Sequence, residues 1–259
     1  MATERDLLTA RLFMRAVFPV MKVLLNDDPA MKKRFENVSA KVQFTAKNGA
    51  DILGAYLIFD NGEFRVEQGL CENPDITFSF STVEKMNAML AGKPVLPGIK
   101  GIRNLGLLMK VMSLLLGLKL MMPSARPKDY ARKKLKVKLA FYMVTTALSQ
   151  YNKGGDPDMV KWTAKQPDRI YQMSVEGEDD VSAYLRVKGG KTKAGRGFYL
   201  RRRPFVHMRF HSIDGALAVL LRDAEFVDGV GKGFVTIDGA PEYGAQINDF
   251  MQRIQALLT

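Results

Sequence analysis

Helical stretches followed by alternating strand patterns, met twice in one chain, make this an α+β protein of two tandem units, each an antiparallel sheet covered on one face by helices. Three observations carry that reading. The first is length: 259 residues exceed one ordinary domain and leave room for two cores. The second is an internal repeat. "AYLIFDNGEFRVEQG" from Ala55 and "AYLRVKGGKTKAGRG" from Ala183 share their opening tripeptide and two glycines, Gly62 with Gly190 and Gly69 with Gly197, at an offset of 128. The register resumes after a two-residue insertion, so that Phe80 meets Phe210, Glu84 meets Asp214 and Leu90 meets Leu220. The third is periodicity, which changes in the same order in both halves.

Each half opens on helices. "RLFMRAVFPVMKVLL" and "LKVKLAFYMVTTALSQY" place apolar residues at helical spacing, and each leads to an Asp-Pro break and a short second helix, "PAMKKRFENV" or "PDMVKWTAKQ". Alternating strands follow, with "DNG" and "KGG" as hairpin turns built from residues that tolerate positive φ. In the next strand Ile76, Phe78 and Phe80, or Val206, Met208 and Phe210, share one face by the period of two. The helices "STVEKMNAML" and "HSIDGALAVLL" then start on Ser or Thr caps with an acid in the first turn. The second half adds a strand, "GKGFVTIDG", before its last helix. At the matching place the first half has only "GIKGIR", which predicts a sheet left incomplete or finished by the other half. The Pro- and Lys/Arg-rich stretch at the middle reads as a linker, giving domains 1–122 and 139–259 joined by residues 123–138.

Composition narrows the function classes. An apolar fraction of 47% and a charged fraction of 25% are those of a globular protein, neither disordered nor polytopic in a membrane. The net charge of +12 favours anionic partners, and fifteen methionines suit surfaces that adapt to varied shapes. With Cys71 as the one cysteine no internal disulfide forms, so a reducing, cytoplasmic setting is expected, with any membrane association peripheral. The N-terminus has its apolar residues broken by Arg11, Arg15 and Lys22, which suits an amphipathic helix better than a secretory signal.

The stretch "NLGLLMKVMSLLLGLKLMMP" at 104–123 resembles a membrane span, but Lys110 and Lys119 leave only eight uncharged residues between them where a span needs about 20. On a helical wheel Arg103, Gly106, Lys110, Ser113 and Gly117 form one narrow stripe, and the wide remainder is apolar. The expectation is a helix with one side packed on the sheet and another lining a lipid cavity or meeting a membrane surface, the alternative being a fully buried core helix.

The run at 89–115 is similar to the sterol carrier protein type two family, with Leu90, Gly92 and Lys93 followed by Asn104, Gly106, Leu107, Met109 and Lys110 matching its Asn-x-Gly-Leu-x-Met-Lys helix opening. The second half matches that family's strand as "GKGFVTIDG" but lacks the helix signature. The resemblance covers about 40–122 and 168–259. It implies an apolar tunnel between sheet and helices and a carrier role: binding and transfer of fatty acyl, polyprenyl or sterol-like lipids, with no enzymatic activity and no cofactor. Expected cavity residues are Phe78, Phe80, Met86, Met89, Leu105, Leu108, Met109, Met112, Leu115 and Leu116, then Met208, Phe210, Leu217, Leu221, Ile247, Phe250 and Ile254. The other reading is a scaffold or accessory subunit with filled cores, serving an enzyme that handles hydrophobic substrates.

Other motifs fail on spacing. "GGKTKAGRG" lacks the upstream glycine of a phosphate loop, and Phe234 stands where a dinucleotide fingerprint needs its third glycine. His207 and His211 share a strand face without a third ligand, so no metal site is expected. The acids at 178–180 read as a solvated turn, and no nucleophile, base and oxyanion donors assemble, so no catalytic residue is assigned. Lys133, Lys134, Lys136, Lys191, Lys193, Arg196, Arg201, Arg202 and Arg203 are the expected contacts to an anionic membrane surface. Nucleic acid is not expected, because the aromatics alternate inward instead of lining a basic groove.

Overall fold

The computed structural model describes residues 1–101 and 104–259, with Phe226 and Val227 by their backbone alone. It divides into two compact units, Met1–Lys119 with Leu257–Thr259, and Leu120–Ala256. The first unit opens with α1 (Glu4–Leu12), which runs through a π-helical turn at Phe13–Val17 into α2 (Phe18–Asp27). Thr3 and Asp6 cap its start reciprocally. Next come α3 (Pro29–Phe35), β1 (Ser39–Asn48), β2 (Asp51–Asp60), β3 (Glu63–Gln68), β4 (Ile76–Phe80), α4 (Val83–Leu90), β5 (Gly98–Lys100) and α5 (Leu105–Gly117). The second unit repeats the plan with α6 (Tyr130–Lys153), α7 (Pro157–Ala164), β6 (Arg169–Val175), β7 (Glu178–Lys188), β8 (Lys191–Arg196), β9 (Val206–Phe210), α8 (Ile213–Leu220), a short α9 (Phe226–Gly231), β10 (Val235–Gly239) and α10 (Pro241–Leu258).

Strand order is β3-β2-β1-β4-β5 in one sheet and, read from its other edge, β8-β7-β6-β9-β10 in the second, so the two units have the same topology. The Asp-Pro breaks serve the same purpose in both: the Asp28 and Asp156 carboxylates accept the amides of Met31 and Met159, and each proline takes the first helical turn, where its missing N–H costs nothing. Asn61 and Gly62 supply the positive φ of the β2–β3 hairpin, at 46° and 91°.

Both sheets are mixed, not antiparallel. β1 pairs antiparallel with β2 but parallel with β4, and β6 does the same with β7 and β9. Alternation tells which face a residue occupies and not which way its strand runs, so the sequence pattern could not separate the two cases. A parallel neighbour requires the chain to cross the sheet, and here residues 69–75 and 197–205 are the crossing straps. Each is fastened to a buried glutamine of the central strand. Gln43 accepts the amide of Cys71 at 2.5 Å, and Gln172 accepts that of Tyr199 at 3.0 Å while donating to Gly197.

On the helical side the cores are aromatic. Phe44 packs between Phe18 and Phe78, with ring centroids 4.9 Å from each, and Phe141 meets Phe210 at 5.4 Å. Three expectations are corrected. The short "GIK" is a strand, paired with β4 through Thr77, Phe78 and Ser79, so the first sheet closes its own edge at five strands. Gly101 ends it at φ 85°, and Gly239 ends β10 at φ 103°. The expected linker is half helix: Asp129 caps α6 by accepting the Arg132 amide, and the basic run is that helix's first turns. The acids at 178–180 begin β7 instead of forming a turn.

Candidate functional site

The expected cavity residues separate into three groups. Phe78, Phe80 and Met86 in the first unit, and Met208, Phe210, Leu217, Ile247 and Ile254 in the second, are buried among protein side chains. Met89, Leu108, Leu115 and Leu221 are half-buried. Leu105, Met109, Met112 and Leu116 are exposed on the outer side of α5 instead of being enclosed between helix and sheet. That helix is turned the opposite way from expectation. It packs toward α2 and α3 through Leu107, Val111 and Leu114, with Leu24 and Met31 lying close to Gly117. The Gly106–Lys110–Ser113–Gly117 stripe lies to one side, and Arg103 lies outside the described residues.

Of the expected residues, Phe250 lines an open groove of about 440 Å³ in the second unit. One wall is a single face of α7 and its end, Asp158, Lys161, Trp162 and Lys165, spaced three, four and seven residues apart. The other is a face of α10, with Tyr243, Gln246, Phe250 and Arg253 at the same helical spacing and Asp249 at the rim. Trp162 gives the groove its apolar centre: its ring stands edge-on to Phe250 at 5.6 Å and against Tyr171 at 5.5 Å, and its N–H donates to Gln246 at 2.6 Å. Behind it the Arg169 guanidinium lies over the rings of Phe205 and Tyr243, 3.8 and 4.4 Å from their centroids. Arg253 pairs with Asp158 at 2.5 Å and neutralises that end. Lys161 and Lys165 are exposed at the rim and in no ion pair among the described residues. Sequence reading passed over Trp162 and Tyr243 because a lone Trp in a short helix looks like ordinary core. The signal was its neighbourhood: a Trp flanked by Lys161 and Lys165 on an eight-residue helix sits at a surface.

The expected membrane contacts fare unevenly. Lys133 pairs with Asp214 at 2.7 Å, and Lys134 with Glu178 and Asp180 at 2.5 and 2.9 Å. Those carboxylates push the Lys134 ammonium above its usual range. Lys136 is corrected outright. It is 3% exposed and donates to the carbonyls of Leu120, Met122 and Ala125 at 2.7–2.9 Å, so it cannot touch a membrane. Burial, assisted by Arg126, brings its pKa down to about 8. Arg202 pairs with Asp168, and the Arg196 guanidinium lies 4.8 Å from the Tyr142 ring centroid. Lys191, Lys193, Arg201 and Arg203 are exposed.

Both histidines have local partners. His207 Nε2 lies 2.7 Å from Ser174 Oγ, with its pKa lowered by burial and then by Arg209, and His211 spans Glu176 and Thr236 at 3.0 and 2.8 Å. Among the described residues no three His, Cys, Asp or Glu side chains group to hold a metal ion, and no helix is long and apolar enough to cross a membrane.

No family model and no curated protein matches the chain. Among solved structures, that of a double mutant of the sec-alkyl sulfatase PisA1 is similar over 56% of this chain and 28% of that one, at 12% identity and a TM-score of 0.28. The matched protein is an enzyme, so the expectation that this chain is not one is withdrawn. A likeness that loose transfers no reaction to it.

Proposed function

We propose that this chain binds amphipathic lipids and carries them between membranes, taking fatty acyl or similarly long apolar chains that end in an anionic group. The observation that carries this is the groove beside Trp162. Its volume falls within the roughly 300–1,000 Å³ of small-molecule sites, and Trp162, Tyr243 and Phe250 offer aromatic surface among walls that otherwise carry polar and charged side chains. A methylene laid against those rings is shielded on one side only, so each contributes less than the about 0.8 kcal/mol of full burial, and selectivity is broad. The ammonium groups of Lys161 and Lys165, in no ion pair among the described residues, complement an anionic head, with Asp249 across the rim disfavouring a second negative charge. The sequence resemblance to the sterol carrier family supports the same reading.

Trp162 is the one tryptophan of the chain, so its fluorescence reports on this groove alone. Dibromostearate, whose bromines quench by contact, is expected to quench it saturably while stearate competes and does not quench. Lys165→Glu is expected to weaken the binding by about tenfold, as removal and reversal of one nearby charge implies. Emission unchanged by dibromostearate, together with protein free of co-purified lipid in native mass spectrometry, would falsify the proposal.

For the first unit a second reading, a filled-core scaffold or accessory subunit for an enzyme acting on hydrophobic substrates, is favoured by one observation. The Phe18–Phe44–Phe78 stack occupies the space between helix and sheet where a tunnel would run.

A further inference from the structure

We infer that α5 is a docking surface for an anionic lipid bilayer, lying in the interface with its exposed apolar line inserted. Leu107, Val111 and Leu114 seat the helix on its own unit. On the opposite side Leu105, Met109, Met112 and Leu116 recur at spacings of four, three and four, and are 62%, 70%, 39% and 54% exposed. At 100° per residue all four fall within about 60° of arc, a continuous line about 16 Å long. Single exposed apolar residues are ordinary, but four in register on one helix call for a partner.

Charge selects which partner. Residues 85–128 hold eight Lys or Arg and neither Asp nor Glu, whereas the rest of the chain holds 31 bases against 27 acids. This one segment therefore contributes eight of the twelve net charges. Lys85, Lys93, Lys100, Lys110 and Lys119 enter no ion pair among the described residues. The neighbouring α3 adds Lys32, Lys33 and Arg34 in its last turn. A second copy of the chain would set this basic surface against itself. An acidic bilayer accepts both features, because anionic head groups meet the lysines while the acyl boundary receives the apolar line. Thirteen residues are too few to span the hydrocarbon, so the helix lies along the surface. None of this depends on the groove of the second unit, and a chain that bound no lipid there would still dock.

The test is co-sedimentation of the full chain with vesicles of phosphatidylcholine alone and of phosphatidylcholine with phosphatidylglycerol, alongside sedimentation velocity without lipid. Binding is expected only with the anionic vesicles and is expected to weaken as salt shortens the screening length. Met109→Glu should reduce it by about tenfold or more, since it reverses an insertion contact. Lys110→Gln should reduce it by about fivefold, the effect of one surface lysine near acidic lipid. Met109 lies opposite the buried line of the helix and Lys110 beside it on the polar stripe, where Gln keeps most of the side-chain stem, so circular dichroism and the melting temperature should hold for each variant. Equal binding to both vesicle types, or Met109→Glu binding as well as the parent, would overturn the assignment. So would a concentration-dependent dimer that Met109→Glu disperses, which would make the line an interface between copies of this chain.

Discussion

Lys136 shows how far a single side chain can depart from what its neighbours in sequence suggest. It sits in a run of lysines that reads as a solvated face, yet its ammonium is buried and its three N–H groups find three carbonyls, a full complement for the charged form. Burial remains the dominant influence and lowers its pKa from 10.5 to about 8. Between those values the unfolded chain holds a proton that the folded one has released, so stability rises as pH climbs from about 8 toward 10.5, by up to about 3 kcal/mol. Urea unfolding at about pH 8 and about pH 9.5 should show that rise in the parent and lose most of it in Lys136→Met; an unchanged slope would place the titrating group elsewhere. Periodicity gave no hint of the burial, because a lysine on a wheel is assigned to solvent by default. Its carbonyl partners lie eleven to sixteen residues away, in a 3-10 turn at Leu118–Met121 and the loop after it.

Among the elements, α5 and the fifth strands separate what patterns reveal from what they hide. Asn104 caps α5, and the helix itself was readable from its apolar run, although it ends at Gly117, short of residue 123. Its facing was not. Two apolar lines stand nearly opposite on the wheel, Leu107–Val111–Leu114 and Leu105–Met109–Met112–Leu116, and only contact with Leu24 and Met31 decides which turns inward. The fifth strand of the first unit escaped for a different reason, since three residues are too short to display a period. What marks it is the glycine after it. A Cβ at Gly101 would collide with the Asp75 carbonyl, and one at Gly239 with the Phe205 carbonyl, in addition to the strain of positive φ. Gly177 has a comparable φ of 74° and open space around it. Gly177→Ala should therefore cost about 1 kcal/mol of strain alone, and Gly101→Ala and Gly239→Ala about 2 kcal/mol or more in addition. Equal midpoints for the three in urea would show that backbone conformation, not the carbonyl contact, selects these glycines.

At the scale of the whole molecule the duplication was legible, because aligned glycines and aromatics persist wherever both units need the same turn or the same inward face. The crossing straps were not, since the residue that fastens each is a glutamine in a strand of otherwise apolar character, Gln43 in "VQF" and Gln172 in "YQM". Pairing the two halves position by position would have flagged them at an offset of 129, which neither hairpin nor helix signals supply. Their equivalence supports a prediction about independence. Gln172 makes four hydrogen bonds, with Met173, Ala183, Gly197 and Tyr199, and Gln43 accepts from Cys71. Replacement by alanine strips the part-buried amides of Tyr199 and Cys71 of these partners, so Gln172→Ala should cost about 2–4 kcal/mol and Gln43→Ala about 1–2 kcal/mol. The two share no hydrogen-bond partner, so the double variant should lose the sum to within about 0.5 kcal/mol. Hydrogen exchange is the measurement to use, because a chain with two cores need not unfold in one step. Faster exchange at the Tyr199 amide in Gln172→Ala, with the Cys71 amide unchanged, is the expected outcome, and the reciprocal in Gln43→Ala. Acceleration of both amides by either change would mean that the two units, although built on separate sheets, open together.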